Sequence, residues 1–545
     1  MPHIERREIW LVIGISILVV AISTVPYVLG YLVEGPDLEF GGFLIDLDDS
    51  YSYLAKMQQG VWDGWRYRIP FTPEEHSGAY LYTFYLGLGK LSALLGLSVM
   101  QTYQLARLAG GLSLLVMAYI FVSIFLKDRD RRLVAYLLIS FSSGLGWLVV
   151  LVGGSSTLGG ISPIDFWWIE AYTFLAIFTF PHFSAALTLL LLFFTLALRY
   201  LETFRLPAFL LAIPTFLALC IVHPYNAFLV DGVLAAYWLL LLLKRKRLPR
   251  RESLPISIWA ITPIPLLAYY YRALSSQPVF QSWAAQTVLP SPSILHLFLG
   301  YGVVSLMAIG GLVHVIRERD ERGMLLVAWV ASIIVLTYLP FSFQRKMVEG
   351  LHVPLCILAT IGLFEYLLPG ALGSDWLTRF ARWRGYRRDG LRRLLVFSII
   401  VATFPSNLCV LASASSLVLQ HDAELFHRRH EVEAIDWLEA HTQRSDTVLA
   451  SYEMGRLIPA RAGNVVFMGH IIETVQVEHK RELAEAFFQA DTSDDWRRAL
   501  LMEYGVRYVF HGPEERQVGD LDPSTCEYLT PVYRNPEVTI YRVAT

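Results

Sequence analysis

Three carboxylates stand within four residues at Asp46-Leu47-Asp48-Asp49, just past the first long apolar segment of a 545-residue chain. Charges so close together cannot sit in hydrocarbon, and a core does not hold them unpaired. They require a wet surface beside a bilayer, where one of them could act as a general base. The next residues, Ser50 to Gln59, have helical character. A carboxylate here could therefore simply cap a helix, accepting from free backbone N–H groups at the positive end of the dipole. Capping needs one aspartate, and the stretch offers three. Asp46-x-Asp48 could also present oxygens to a hard divalent cation, Mg or Mn, although two carboxylates one residue apart are a short signal.

Cations form the second group. Arg345 and Lys346 lie in the linker Phe343 to Gly350 between two apolar segments, on the side that is otherwise poor in Lys and Arg. A cation at membrane depth needs a partner. Either the pair snorkels to lipid headgroups, or it forms a fork for a phosphate, with Arg binding bidentately and Lys as a point charge. Arg272, after Tyr269-Tyr270-Tyr271, could share either role, and Arg107 reads as a helix anchor. His182 and His223 each adjoin a proline at a helix end, where a histidine more often caps than catalyses. With Tyr225, Glu75 and His76 they are candidate accessory groups; Glu74-Glu75-His76 could cap the helix that follows or add a second acid. Trp62, Trp65 and Tyr67 could stack on a sugar, but interfacial aromatics occur in any membrane protein.

The elements that must position these groups follow from composition. The chain is 55% apolar and 17% charged, with 14 tryptophans and a net charge of −2. Apolar runs near bilayer length recur at 9–33, 102–126, 132–152, 182–200, 206–222, 226–243, 256–274, 294–316, 323–342, 350–370 and 393–417, which predicts a polytopic helical membrane protein of about eleven spans. Residues 9–33 are too long for a signal-peptide core and lack a small-residue cleavage site, so they read as an uncleaved first span. Six alternate connecting segments hold 24 Lys and Arg against five in the others. By the positive-inside rule the N-terminus is cytoplasmic. Were Tyr80 to Leu97 also to cross, every later basic cluster would be outside, so it reads as a re-entrant or interfacial helix. The outer side then holds the acidic loop 34–101, the 153–172 loop with Asp165 and Glu170, and the C-terminus.

From about 420 the pattern changes. Helical periodicity at 430–441, 480–489 and 494–504 alternates with short strand patterns at 447–451, 465–468, 507–511 and 538–543. These predict two domains: a transmembrane domain over 1–419 and a small extracytoplasmic α/β domain over 420–545. The tail carries neither a phosphate-binding glycine loop nor a nucleophile motif. Cys220, Cys356, Cys409 and Cys526 form no disulfide framework and no metal-thiolate spacing. Nothing in the charge pattern points to nucleic acid.

The layout of residues 1–230 resembles the GT-C superfamily of integral-membrane glycosyltransferases, which includes protein O-mannosyltransferases and lipid A aminoarabinose transferases. The resemblance is carried by a first span, an outer loop opening Asp48-Asp49-Ser50-Tyr51-Ser52-Tyr53-Leu54-Ala55, a juxtamembrane helix and the Arg-led second span Ala106-Arg107-Leu108. Phe180-Pro181-His182-Phe183, His223-Pro224-Tyr225 and Gln344-Arg345-Lys346 with Glu349-Gly350-Leu351 are similar to features of bacterial members that use polyprenyl-phosphate sugar donors. The sequence departs from the best-known members in having Asp49 where many have Glu, and in lacking a His-Pro-Pro-Leu type motif before the juxtamembrane helix.

The resemblance implies transfer of a sugar from a polyprenyl-phosphate donor to a glycan, lipid or protein acceptor on the outer face of a prokaryotic plasma membrane. Asp48 or Asp49 would be the general base, and Arg345, Lys346 and Arg272 would hold the donor phosphate. A metal is optional, with Asp46 and Asp48 as its ligands. Two rival readings belong to other classes. A secondary transporter or lipid flippase would place ionisable groups near the midplane and often show inverted repeats; here the acids lie in a loop and no repeat is visible. A non-catalytic lipid-binding scaffold would be indifferent to loss of the aspartates.

Overall fold

The structure is a computed structural model that describes residues 4–153, 157, 160–384 and 386–544. Among these residues, seven helices are long and apolar enough to cross a membrane: Arg6–Leu32, Val99–Phe125, Pro181–Thr203, Asn226–Arg245, Arg250–Ser275, Ile294–Glu318 and Gln344–Leu372. Two bent pairs, Arg129–Phe141 with Gly146–Val152 and Arg388–Ala402 with Pro405–Leu419, raise the number to nine if each pair is one span. By length the count is therefore seven to nine rather than eleven. The segments expected as spans at 206–222 and 323–342 fold as helices of 17 and 16 residues, Leu206–Val222 and Glu321–Leu336. At ~1.5 Å per residue neither reaches across a ~30 Å hydrocarbon core without help. The segment expected to be re-entrant or interfacial is a 13-residue helix, Thr83–Leu95. The part of the 153–172 loop at 154–156 and 158–159 lies outside the described residues.

The chain divides into two compact units. One comprises residues 1–25, 107–267 and 289–414; the other comprises 26–106, 268–288 and 415–545. In the first, apolar helices are fastened by a few polar knots. Arg132 donates to both carboxylate oxygens of Glu8, at 2.8 and 2.9 Å, and Tyr119 hydrogen-bonds the same carboxylate. Three helices are thereby tied by one buried ion pair, a role for Arg132 beyond its topological charge. Arg107, fully buried, donates to Thr24 at 3.2 Å and to the Ile177 carbonyl at 3.4 Å, as expected of a helix anchor.

The second unit is built on a five-stranded sheet. Its order is Val465–Val466, Thr447–Leu449, Val506–His511, Thr539–Val543, Leu529–Arg534. The first three strands run parallel and the last two pairings are antiparallel. Helices Val477–Phe488 and Asp494–Glu503 place Phe487, Phe488, Leu500 and Leu501 in a core with Phe467, Val509 and Tyr541. Residues 420–545 do not form this unit alone. Leu38–Phe40 pairs antiparallel with Phe426–Arg428, and the Val466 N–H donates to the Pro70 carbonyl at 2.8 Å.

One close approach fixes the helix that carries the aspartates, Leu47–Trp62, and another the helix on which it packs. Leu47–Trp62 crosses Thr83–Leu95 at Gly60 and Gly89, where a Cβ on Gly89 would lie 1.9 Å from the Met57 carbonyl oxygen. It also packs on Tyr452–Arg461, whose Gly455 abuts Gly469; a Cβ on Gly455 would lie 1.9 Å from the Met468 carbonyl oxygen. Only glycine permits backbones this close.

Candidate functional site

Candidate groups cluster in each unit. In the unit containing the first outer loop, Asp46 occupies the N-cap position of Leu47–Trp62 in a left-handed conformation (φ 51°) and makes no side-chain cap. Asp48 and Asp49 fall in the first turn, where the helix dipole favours their charge. Their environments differ. Asp48 accepts from the Tyr452 hydroxyl at 2.7 Å on one oxygen and from Arg456 at 3.2 Å on the other. Burial and the Asp48 charge push the Tyr452 phenol far above its ordinary value, which keeps it a donor. Asp49 keeps its side chain 38% exposed, with one carboxylate oxygen 3.5 Å from Nε2 of the buried His470.

One face of the same helix continues into a buried network. Asp49, Ser52 and Lys56 are spaced three and four residues apart, so they share a face. Lys56 donates to Glu473 at 2.7 Å, Ser52 donates to the same oxygen at 3.0 Å, and Tyr67 donates to the other at 2.5 Å. The ammonium also lies 4.1 Å from the ring centre of Tyr82 and 5.1 Å from those of Tyr53 and Tyr67. Burial alone would raise the Glu473 carboxyl, but Lys56, His470 and Tyr67 together hold the group below its ordinary value.

The neighbouring loop is stapled rather than catalytic in appearance. His76 accepts from Ile69 N–H at 2.9 Å and hydrogen-bonds the Glu74 carbonyl at 2.8 Å; it does not cap Thr83–Leu95, whose N-cap is Tyr82. Glu75 is exposed, and Glu74 is the acid in an ion pair, with Lys480 at 2.7 Å. Tyr67 is fully buried, whereas Trp62 and Trp65 are exposed. Arg272 is exposed near the end of Ile264–Ser275.

The other unit gathers Arg345, Lys346, His182, His223 and Tyr225. The 3-10 helix Gln344–Val348 presents Arg345 and Lys346. Lys346 is ion-paired with the buried Glu170. Burial alone would raise the Glu170 carboxyl; Lys346 and then Arg345 outweigh it and lower it. The Arg345 guanidinium lies 5.4 Å from the Trp167 ring centre, and its buried Nε has no hydrogen-bond partner. Lys346 Nζ is 5.5 Å from the Phe183 ring centre, and that ring is 5.6 Å from His223. His182 is 6.0 Å from His223 between ring centres. His223 hydrogen-bonds Glu349, which also accepts from Asn226 at 2.8 Å. Tyr225 packs 4.7 Å from Phe343.

Asp46 and Asp48, the residues expected to hold a divalent cation, are not joined by a third ligand among the described residues. One oxygen of Asp48 accepts from the Tyr452 hydroxyl and the other from the Arg456 guanidinium. Several participants carried no sequence signal that isolates them. Tyr452, Arg456, His470 and Glu473 come from the distant tail, and Glu170 and Glu349 were visible only as loop acids.

No family model matches the sequence, and no curated protein matches it. Solved structures do match in fold. The oligosaccharyltransferase of Archaeoglobus fulgidus in its apo form superposes with a TM-score of 0.56 at 13% identity, covering 92% of this chain and 69% of that one. The same enzyme tethered with an acceptor peptide gives 0.51 at 11% identity over 91% and 69%. ArnT from Cupriavidus metallidurans bound to undecaprenyl phosphate gives 0.54 at 12% identity, covering 97% of this chain and 98% of that one. The chain shares the fold of these oligosaccharyltransferase and ArnT structures.

Proposed function

We propose that the protein transfers one sugar from a polyprenyl-phosphate donor to an acceptor on the extracytoplasmic face of a prokaryotic plasma membrane, with its N-terminus cytoplasmic. The observation that carries this reading is the shared fold with ArnT, which extends over nearly the whole of both chains and was solved with undecaprenyl phosphate bound. Arg345 supports it: a guanidinium with an unpartnered buried N–H beside an indole suits an anionic ligand. Lys346 adds positive charge, though Glu170 neutralises part of it.

Asp49 is the better base of the adjacent pair. Both oxygens of Asp48 accept from fixed donors, whereas Asp49 leaves its carboxylate accessible. In the reaction the acceptor oxygen forms a bond to the anomeric carbon as the bond from that carbon to the phosphate oxygen breaks. The phosphate leaves with the electron pair, and Asp49 takes the acceptor proton. Arg345 and Lys346 stabilise the charge that develops on the phosphate. Displacement in one step inverts the anomeric configuration. Arg272 remains a candidate for donor contact, and the acceptor is a glycan, lipid or protein.

The test uses the full chain in proteoliposomes with undecaprenyl-phosphate-linked pentoses and hexoses, and a membrane extract as the source of acceptor. With at least one donor, mass spectrometry should detect released undecaprenyl phosphate and a glycosylated product, whose inverted anomeric configuration NMR should show. Transport of the intact donor lipid across the bilayer without cleavage would instead support a flippase.

A further inference from the structure

We infer that His470 is a positioning residue for Asp49, held by its own loop in the neutral tautomer that carries the proton on Nε2. The inference rests on Asp49 being the base. It is drawn from the hydrogen bonds of the imidazole, whose two nitrogens face different partners.

Nδ1 accepts from two backbone N–H groups, those of Ile472 and Glu473, each at 3.1 Å. A proton on Nδ1 would point at two donors, so that nitrogen stays unprotonated and Nε2 bears the hydrogen of the neutral ring. Nε2 lies 3.5 Å from the Asp49 carboxylate. At that distance the buried Nε2 has no hydrogen-bond partner among the described residues, and contacts of this kind often tighten only when substrate is bound.

The loop has little freedom to move the ring elsewhere. The Gly469 and His470 N–H groups donate to the Thr474 hydroxyl at 3.2 and 3.1 Å, and that hydroxyl donates to the Phe71 carbonyl at 2.9 Å. Glu473, at the far end of the loop, is clamped by Lys56, Ser52 and Tyr67. Loop and helix are therefore joined at Glu473, to Ser52 and Lys56, and on the same helix face His470 stands beside Asp49. The charged groups facing the imidazole are Asp49 on the helix and Glu473 on its own loop, with Lys56 beyond Glu473; the Phe71 ring packs at 5.4 Å.

An N–H held at this point favours the ionised form of Asp49, whose side chain keeps 38% of its surface exposed. When Asp49 takes the acceptor proton, the imidazole has no site for it, because Nε2 is already protonated and Nδ1 faces donors. The proton stays on Asp49 and leaves through its exposed face.

The test compares H470A, H470Q and D49N in the full chain, using release of undecaprenyl phosphate from the donor that the wild type turns over. H470A should lower kcat about ten- to a hundredfold, the range for losing one hydrogen bond to a charged group. KM for the donor should stay within about twofold, since His470 is inferred to act on the base and not on the donor phosphate. The acid limb of the kcat–pH profile should move to higher pH, because the carboxylate loses a donor that favours its charged form. Gln can place an N–H near the same point, so H470Q should recover part of both effects. H470A with wild-type kcat and an unmoved acid limb, or a loss that follows only the amount of folded protein, overturns the inference. If D49N turns over normally, the base assignment fails and this inference with it.

Discussion

The carboxylate of Asp48 lies 3.2 Å from the guanidinium of Arg456, while its immediate neighbour Asp49 faces a histidine and solvent. Two adjacent acids in one helical turn thus differ in surroundings. Asp48 anchors the turn to helix Tyr452–Arg461, and Asp49 keeps its side chain 38% exposed.

D48N should therefore act mainly on stability. It weakens a charge-assisted contact that is only 26% exposed at the aspartate, at a cost of about 1–3 kcal/mol. Thermal unfolding should show a lowered melting temperature in D48N and in R456M, with less than additive loss in the double variant. Turnover below that temperature should persist.

Lys56 and Glu473 form the most buried ion pair of this unit, with side-chain exposures of 1% and 3%. K56M leaves a carboxylate buried without its cation and should cost about 3–5 kcal/mol. Adding E473Q removes the orphaned charge and should return much of the melting temperature, which a double-mutant cycle measures directly.

The two cations of the other unit should separate in the same way. R345M breaks no ion pair among the described residues, so its expected loss is in affinity for undecaprenyl phosphate, about tenfold or more, with stability near wild type. K346M orphans Glu170 and should lower stability as well as affinity. K346M with E170Q should restore the first and not the second, as read by thermal unfolding and ligand titration.

Tyr51 and His427 hydrogen-bond at 2.5 Å in a fully enclosed site. Burial, aided by Arg456 and Arg461, holds the imidazole down to about 3 from 6.5. Between these values the unfolded chain binds the extra proton, so stability rises with pH across the window and is lost as pH falls from 6.5 toward 3. At pH 5 the loss from this group is about 2 kcal/mol relative to pH 7. The melting temperature should fall over that range, and H427Q, which has no titrating ring, should flatten the fall.

Much of the fold is legible in the sequence because hydrophobic periodicity is a local signal. The predicted helix 430–441 is Arg429–His441, and the strand patterns at 447–451 and 507–511 are Thr447–Leu449 and Val506–His511. The edge strand Leu529–Arg534 alternates too weakly around Pro531 to be seen. The paired strands Leu38–Phe40 and Phe426–Arg428 are three residues each and exist only through their long-range partner. The candidate site divides along the same line. Asp48, Asp49, Arg345 and Lys346 stand out because charge is expensive at a membrane. His470 and Glu473 do not, since a histidine and a glutamate in a soluble-looking tail are ordinary until the fold brings them to the acidic helix.

The central claim is that Asp49 is the base of a sugar transfer, and its most direct test is the rate of undecaprenyl-phosphate release by D49N beside D48N. D49N should lower the rate about a hundred- to ten-thousandfold, the share a positioned base contributes, with undecaprenyl phosphate still bound as tightly as by wild type. D48N should remain within about tenfold of wild type when both are folded. A D49N protein that releases undecaprenyl phosphate at the wild-type rate would contradict the account.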